Sequence, residues 1–326
     1  MGFTGDAIII REDYSFDRIE NINIGDTILG PEGPCIVTSI TEEYKDKVFT
    51  LKTKNFLEFY IDKDTKILIS KWFNLFNKDT NKFETYLKPI EYLKVEEISP
   101  TSLVCINNLP LLEDNTFINP VLYGLLLNKA SVIKNKDQFN VIAKNIMKYK
   151  DLIQKTDNSL LLQKENKNIY INNIKYPWIE DLDCGEHQRK INKELFRANK
   201  DQIKNFLTTF AKSNTDVFIK EDEFRLYTES KILAIQLFYL FSYIYDDLPI
   251  IEKVDKKTIE YKKIVQSKKK KHFALAMIPE IKTLKKTDLF YQEIDKILEI
   301  DKRLKIYNIE VLEEKPFYVN NLIIQN

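Results

Sequence analysis

The chain ends on a residue that can cut its own backbone. The side-chain nitrogen of Asn326 can attack the carbonyl of the same residue and so release a peptide joined after it. Gln325 precedes it. At the other end the sequence reads Gly2-Phe3-Thr4-Gly5-Asp6, a turn signal ahead of an apolar run. Gly2 has no side chain, so it cannot supply a nucleophile.

Groups suited to acid–base or metal chemistry are scarce. The only histidines are His187 and His272. His187 lies near Glu186 and Cys184, but three neighbouring candidates without a fourth ligand are more typical of a polar loop than of a metal site. Three widely spaced cysteines without a Cys-x-x-Cys pair support neither a zinc site nor a disulfide framework. We therefore expect no metal and no cofactor.

The composition is that of a neutral, core-forming protein. Fifty basic residues against 49 acidic ones give a formal net charge of +1, so bulk charge does not favour a nucleic-acid binder. Hydrophobic residues make up 44% of 326 residues, enough to bury the cores of about two domains. No apolar run reaches the length of a membrane span, and the cysteine usage is typical of a reducing, intracellular compartment.

Strand patterns occupy both ends of the chain. Residues 1–105 carry short β-branched or alternating runs separated by turn signals, which predicts a β-rich domain made of hairpins. The predicted strands are 7–11, 27–29, 35–40, 48–53, 58–61 and 66–70. The pattern returns at 306–311 and 317–324, on either side of a turn at 313–316.

Helical patterns occupy the middle. Asn119 before Pro120 predicts a helix N-terminus. Asn199 followed by Gln202 predicts another helix start with a capping box. Residues 231–245 predict a helix that is apolar nearly all round and therefore buried. The simplest organisation is a β domain interrupted by an inserted helical domain, with a lysine-rich segment at 256–287.

The two ends resemble an intein, a domain that excises itself from a host protein and joins the flanks. The resemblance rests on residues 3–6, 18–30, 61–70 and 307–326. In the intein pattern the first position holds Cys or Ser, the third stretch carries Thr-x-x-His, and the last ends in His-Asn. The corresponding residues here are Gly2, Asp62 and Thr65, Gln325 and Asn326, with Lys315 at a position where His is common.

The insert resembles a LAGLIDADG homing endonuclease. Residues 122–131 overlay the first motif, residues 206–217 overlay the second, and residues 227–234 look like the start of the helix that follows it. Gly124 would permit close approach of the two motif helices. The acidic residues that this family needs would fall at Lys129 and Asn214.

The resemblance implies an α+β multidomain fold. Residues 1–110 and 288–326 would form an all-β, horseshoe-like Hint splicing domain. Residues 111–255 would form an inserted α/β LAGLIDADG-like endonuclease domain, and residues 256–287 a lysine-rich linker or extension. The run 317–324 would be one strand that brings Asn326 close to Gly2.

The implied activity is autocatalytic protein splicing, here in a splicing-blocked or excised form. Gly2 blocks the first acyl transfer, whether it is a deliberate replacement or natural decay, while Asn326 could still cyclise. Loss of the usual histidines predicts slow splicing, because general acid–base help contributes about 10²–10⁴-fold. Lys315 could polarise the C-terminal junction or be a solvated turn lysine. Asp62 is expected to be a solvated carboxylate, and Thr65 a strand-forming residue.

The implied partners are the host-protein flanks, or exteins, which are joined to the intein in the same chain. The protein is expected to be a monomer. Its compartment is expected to be the cytoplasm, or the nucleus together with its host protein. Without carboxylates at Lys129 and Asn214, metal-dependent DNA cleavage is expected to be absent. A lysine group could bind double-stranded DNA weakly or without sequence preference, or be an exposed loop. It consists of Lys262, Lys263, Lys268, Lys269, Lys270 and Lys271. A non-cleaving DNA-binding protein is therefore the alternative function.

Overall fold

The chain divides into two units, and the first is built from both of its ends. Unit 1 is Met1–Pro110 with Glu280–Asn326, and unit 2 is Leu111–Pro279. A computed structural model describes residues 2–79, 81–109, 111–127, 130–135, 138–144, 147–165, 168–184, 188–213, 218–220, 223–255, 271–277, 284–286 and 289–325. The fold is mixed α+β, as predicted, with strands dominating unit 1.

Unit 1 is a single extended sheet of fourteen strands within the described residues. The first ten are β1 Gly2–Thr4, β2 Ile8–Ile10, β3 Phe16–Arg18, β4 Thr27–Gly30, β5 Gly33–Thr53, β6 Phe59–Ile61, β7 Lys66–Asn77, β8 Lys82–Leu87, β9 Glu91–Lys94 and β10 Ser102–Asn107. The other four, after the insert, are β19 Leu284–Lys286, β20 Leu289–Val311, β21 Phe317–Val319 and β22 Leu322–Gln325. Short 3-10 helices lie at Ile19–Asn21, Val95–Glu97 and Leu312–Glu314.

Two long antiparallel strands form the spine of unit 1. β5 and β20 pair from Thr53 opposite Ile294 to Val37 opposite Val311, with irregularities that bend the ribbon. We predicted two separate strands in place of β5. The intervening charged residues continue the ladder, and opposite charges meet across it, as in the diagonal 2.5 Å contact of Lys305 with Glu42.

The first and last strands of the chain, β1 and β22, each lie between two other strands of the sheet. β1 pairs with β20 on one side and β6 on the other, and β22 lies between β21 and β7. The prediction of one strand over 317–324 is wrong, because β21 and β22 form a hairpin. Its turn contains Asn320 at φ 57°, a left-handed conformation that asparagine tolerates. The Asn320 N–H and side-chain oxygen both bond to the backbone of Ile8.

The chain between β10 and β20 holds unit 2 and strand β19. β10 and β20 pair antiparallel from Leu103 opposite Glu293 to Asn107 opposite Leu289. The two ends of this long segment are therefore neighbours in one sheet, and β19 pairs with β20 as well. Of the segment predicted as a linker, residues 256–279 belong to unit 2 and residues 280–287 to unit 1.

Unit 2 repeats one α-β-β-α-β-β pattern twice. The first copy is α1 Pro120–Leu126, β11 Ala130–Asn135, β12 Gln138–Lys144, α2 Lys150–Thr156, β13 Leu161–Glu165 and β14 Asn168–Ile174. The second is α3 Lys200–Ser213, β15 Phe218–Lys220, β16 Glu223–Thr228, α4 Lys231–Tyr245, β17 Ile250–Asp255 and β18 Lys271–Met277. Both sheets have the same order, β11-β12-β14-β13 and β15-β16-β18-β17. In the described part of unit 2, 3-10 helices also lie at Met147–Tyr149, Pro177–Leu182 and Lys193–Arg197.

Helices α1 and α3 begin where the sequence predicts, whereas α2 was not predicted. The Asn119 side chain accepts a hydrogen bond from Leu122 N, and the Asn199 side chain accepts one from Gln202 N. The capping box is wrong in its second half, because the Gln202 amide bonds to both backbone groups of Phe117 instead.

Helix α1 packs directly on α3 at Gly124. A Cβ built on Gly124 would lie 2.4 Å from Thr209 Oγ1 and 2.6 Å from the Phe206 carbonyl oxygen, which confirms that this glycine permits the close approach. Helix α4 is buried along most of its length, as its apolar sequence predicts. Among the described residues, no helix is both long and apolar enough to cross a membrane.

Candidate functional site

Gly2 lies buried in the sheet of unit 1, with both of its backbone groups held. Its N–H donates to Thr65 Oγ1 at 2.9 Å. Its carbonyl oxygen accepts from the backbone N–H of Asp62 at 2.8 Å. The peptide unit that precedes residue 2 is therefore anchored by one side-chain hydroxyl on its nitrogen.

Asp62 and Thr65 are brought to Gly2 by a tight turn between β6 and β7. The Thr65 N–H donates to the Asp62 carbonyl at 3.1 Å, and the Thr65 carbonyl accepts from Val95 N at 3.0 Å. Thr65 is fully buried and precedes β7 rather than lying within a strand. The expectation of a solvated Asp62 is wrong, because this residue is 4% exposed and faces Lys45.

The C-terminal strand runs toward the same turn. In the β22–β7 pairing, Ile324 lies opposite Ile67 and Gln325 opposite Lys66. Lys66 is the residue after Thr65, so the strand is directed at the group that holds the Gly2 nitrogen. Asn326 lies outside the described residues.

Lys315 lies apart from this cluster. It follows an exposed turn that contains Glu313 at φ 62°, and its ammonium pairs with the Glu313 carboxylate at 2.8 Å. The hydrogen bond to Glu313 raises the pKa of Lys315 and lowers the pKa of Glu313. This geometry matches the alternative of a solvated turn lysine, and Lys315 makes none of the contacts described above to Gly2.

Asn308 is a candidate that sequence reasoning missed. It pairs with Gly2 across β1 and β20, and a Cβ built on Gly2 would lie 2.4 Å from Asn308 Oδ1 and 2.1 Å from Ile306 Cγ2. This buried oxygen has no hydrogen-bond partner among the described residues. An unused acceptor thus lies beside residue 2, and a hydroxyl or thiol there could bond to it only after the Asn308 side chain shifts.

Two charged residues of β5 complete the surroundings of Gly2. Asn308 Nδ2 donates to Glu43 Oε1 at 2.9 Å, and Lys45 Nζ lies 3.1 Å from the same oxygen and 3.7 Å from Asp62 Oδ1. The Asn308 hydrogen bond, assisted by Lys45, lowers the pKa of Glu43 against the effect of partial burial. Partial burial lowers the pKa of Lys45, but Glu43 and Asp62 outweigh it, so that pKa is raised.

No local sequence signal points to Asn308, Glu43 or Lys45. They reach Gly2 only through the register of strands that are far apart in the chain, with Glu43 opposite Ile306 and Asn308 opposite Gly2. Thr65 and Asp62 thus hold the two backbone groups of residue 2, and the Asn308 amide adjoins its side-chain position. Glu43 and Lys45 connect that amide to the Asp62 carboxylate.

In unit 2, a buried arginine closes the end of helix α1. Arg189 is 4% exposed, and its guanidinium donates to the carbonyl oxygens of Leu127 and Ala130, the latter at 2.6 Å. The Arg189 carbonyl in turn accepts from Ser230 Oγ at the start of α4 at 2.5 Å. A fixed positive charge therefore lies between the two residues that flank positions 128 and 129.

The remaining predicted positions of the insert lie outside the described residues. These are Lys129, Asn214, Lys262, Lys263, Lys268, Lys269 and Lys270. Lys271 is described by its backbone, which begins β18 opposite Asp255. Within the described part of the chain, no group of three or more His, Cys, Asp or Glu side chains could hold a metal ion.

No protein-family model matches the chain, and no curated protein matches its sequence. Among solved structures, it is similar to a crystal structure of a substituted gp41-1 intein, with 15% identity over 28% of this chain and 80% of that chain and a TM-score of 0.20. It is also similar to mesophilic variants of the homing endonuclease I-DmoI, with 14% identity over 50% of this chain and 89% of that chain and a TM-score of 0.35. A third similar structure is a variant of I-DmoI in complex with its target DNA in the presence of Mn, with 13% identity over 49% of this chain and 85% of that chain and a TM-score of 0.32.

Proposed function

We propose that the chain is an intein in a splicing-blocked or excised form, with unit 1 as the splicing domain and unit 2 as a degenerate endonuclease insert. The observation that carries the proposal is the convergence of both chain ends on Thr65. The Gly2 nitrogen bonds to the Thr65 hydroxyl, and the strand that ends at Gln325 pairs beside it at Lys66. Splicing requires its two junctions to meet, because an acyl group must pass from one to the other.

The chemistry follows from the residues at each junction. A Cys or Ser at position 2 would attack the preceding carbonyl, and the amide nitrogen that bonds to Thr65 would be the leaving group. Gly2 blocks that step. Cyclisation of Asn326 would cut the other junction, with its side-chain nitrogen attacking its own carbonyl. Thr65 is a poor proton donor compared with histidine, so an unblocked junction should react slowly.

We infer that the insert does not cleave DNA. Nuclease chemistry of the resembled kind needs two carboxylates that hold a divalent metal at the ends of the motif helices. The residues present do not fit such a metal. Lys129 and Asn214 stand at the expected positions, and the buried guanidinium of Arg189 caps the carbonyls at the end of α1. A cation there would be repelled by Arg189.

The test of splicing restores the junctions. A precursor carries Gly2→Cys and Ile306→Leu, which frees the space filled by the Ile306 methyl, with flanking peptides and Cys, Ser or Thr after Asn326. We expect slow formation of ligated flanks, detected by intact mass, and a thiol-releasable N-terminal flank. Asn326→Ala in the same precursor is expected to abolish C-terminal cleavage. Absence of ligation, of thiol-induced cleavage and of Asn326-dependent cleavage over days would reject the proposal.

A second candidate is a DNA-binding role for unit 2. The lysine run 268–271 ends on the first residue of β18, an internal strand of its sheet, where the Lys271 backbone lies opposite Asp255. Phosphate contacts by such lysines would give affinity that falls with salt. Salt-titrated binding to random duplex tests it. Affinity that is micromolar or weaker, without sequence preference, would leave splicing as the function of the chain.

A further inference from the structure

The ammonium of Lys45 joins the two groups that fix residue 2. It lies 3.7 Å from Asp62 Oδ1, and the Asp62 backbone N–H holds the Gly2 carbonyl oxygen. It also lies 3.1 Å from Glu43 Oε1, the oxygen that receives the Asn308 amide. One side chain thus links both sides of the residue 2 position.

The burial of Asp62 distinguishes its pair with Lys45 from a surface ion pair, whereas the Glu43 side chain is 44% exposed. Asp62 is 4% exposed, and an ionised carboxylate at such a site is costly without a positive partner. The Lys45 side chain is 30% exposed. Glu43 adds a second carboxylate to the Lys45 ammonium, while Asp64 nearby pairs with its own cation, Lys94, at 2.9 Å. Exposed pairs elsewhere on the same ribbon, such as Lys47 with Asp301 at 3.8 Å, have no comparable buried member.

We propose that Lys45 is the positioning residue of the N-terminal acyl shift: it keeps Asp62 and Glu43 in place beside the groups that fix residue 2 and offsets their negative charge. The inference rests on the proposed splicing function. In that step a thiol sulfur at position 2 attacks the preceding carbonyl carbon, and a thioester forms as the carbon–nitrogen bond breaks. The thiol proton ends on the released amine, so atoms and charge balance without a co-reactant. The two carboxylates that Lys45 offsets would otherwise oppose the negative charge that develops on sulfur before attack and on oxygen during it.

The test uses the full chain with flanking peptides and the substitutions Gly2→Cys and Ile306→Leu. Thiol-induced release of the N-terminal flank is compared for Lys45→Met, Lys45→Arg and the control Lys47→Met, which removes an exposed lysine of the same strand. We expect Lys45→Met to slow this release by about tenfold or more. Lys45→Arg should retain most of the rate, and Lys47→Met all of it. Asn326-dependent C-terminal cleavage should change less than about twofold in every variant, well under the tenfold expected for the N-terminal step.

A second measurement does not need a working junction. In the chain without flanks, the pH dependence of alkylation at the thiol introduced by Gly2→Cys gives the pKa of that thiol, with modification located by peptide mass. Lys45→Met should raise this pKa by about one unit, and Lys45→Arg should leave it near the parent value. An unchanged pKa in Lys45→Met overturns the inference even if splicing is active. A shift of the thiol pKa with no reaction at either junction would instead reject splicing and retain Lys45 as the organiser of the cluster. Equal slowing of both junctions, without rescue by arginine, would indicate a merely structural role.

Discussion

The backbone N–H of Gly2 donates to the side-chain hydroxyl of Thr65 at 2.9 Å, across 63 residues of chain. Both groups are buried, so this bond is where the first strand of the protein is tied to the turn before β7. Its geometry makes Thr65 the first position to test.

Thr65→Val keeps the shape of the side chain and removes the acceptor. The Gly2 N–H would then be buried without a partner, and we expect a loss of about 1–3 kcal/mol in the stability of unit 1. Thr65→Ser keeps the acceptor and should cost less. Urea unfolding followed by hydrogen exchange of the Gly2–Thr4 strand measures both. Equal effects of valine and serine would contradict the role of the hydroxyl.

The packing around Gly2 predicts a cost for any side chain there. A Cβ would lie 2.1 Å from Ile306 Cγ2, within a fully buried residue, so Gly2→Ala should destabilise unit 1 by about 1–3 kcal/mol. Ile306→Leu removes that methyl while conserving volume and should recover part of the loss.

The matched control is Gly5→Ala. Its Cβ would meet Glu20 Oε2 at 2.7 Å, the far end of a flexible side chain, so the cost should be smaller. A double-mutant cycle with urea unfolding gives the coupling between positions 2 and 306. Additive effects would show that the methyl does not limit position 2.

Unit 1 should lose stability on acidification. The hydrogen bond from Lys296, with that from Thr50, lowers the pKa of Glu58, and the hydrogen bond from Asn308 lowers that of Glu43. Because each folded pKa lies below its unfolded value, this stabilisation is fully present above the ordinary glutamate pKa of about 4.3 and is lost as pH falls through the folded value.

The corresponding measurement is the urea midpoint from neutral pH to well below that value. Glu58→Gln should flatten the acid limb, while Glu12→Gln, which removes an exposed carboxylate, should leave it unchanged. A midpoint that rises on acidification would have the wrong sign for these contacts.

Removal of Arg189 should weaken unit 2. Arg189→Met leaves the carbonyls of Leu127 and Ala130 without their buried donor, and we expect a loss of about 2–4 kcal/mol. Arg197→Met is the control, because the contact of Arg197 with Asp114 is between partly exposed side chains and should contribute about 0–1 kcal/mol. Fluorescence of the buried Trp178 in a Trp72→Phe background follows the unfolding of unit 2. Similar losses for both arginines would reject the capping role.

Local signals explain what the sequence predicted well. The caps at Asn119 and Asn199 and the apolar run of α4 depend on residues within a few positions of each other, and each predicted element is present. The turn at Asn320 was missed although asparagine favours such turns, because the apolar residues on both sides read as one strand. In β5, the charged middle read as a loop because its partners on β20 are about 260 residues away.

Only those site residues that lie in a recognisable intein motif could be predicted from the sequence. Asp62, Thr65 and Gln325 come from such motifs, and the structure brings them near Gly2. Asn308, Glu43 and Lys45 belong to the same neighbourhood, but only strand register places them there. Lys315 has a position in the motif and yet lies in a separate, exposed turn, since the sequence cannot show which way the chain leaves Leu312–Glu314.

The pairing of Asn107 with Leu289 has a consequence for how the chain can vary in length. The segment between these two residues holds the whole of unit 2 and strand β19, yet it starts and ends at positions that are neighbours in a sheet. A segment at such a place can lengthen at little cost in closure entropy, since that cost grows only slowly with length. Insertions or deletions there should therefore leave the register of β10 and β20 unchanged.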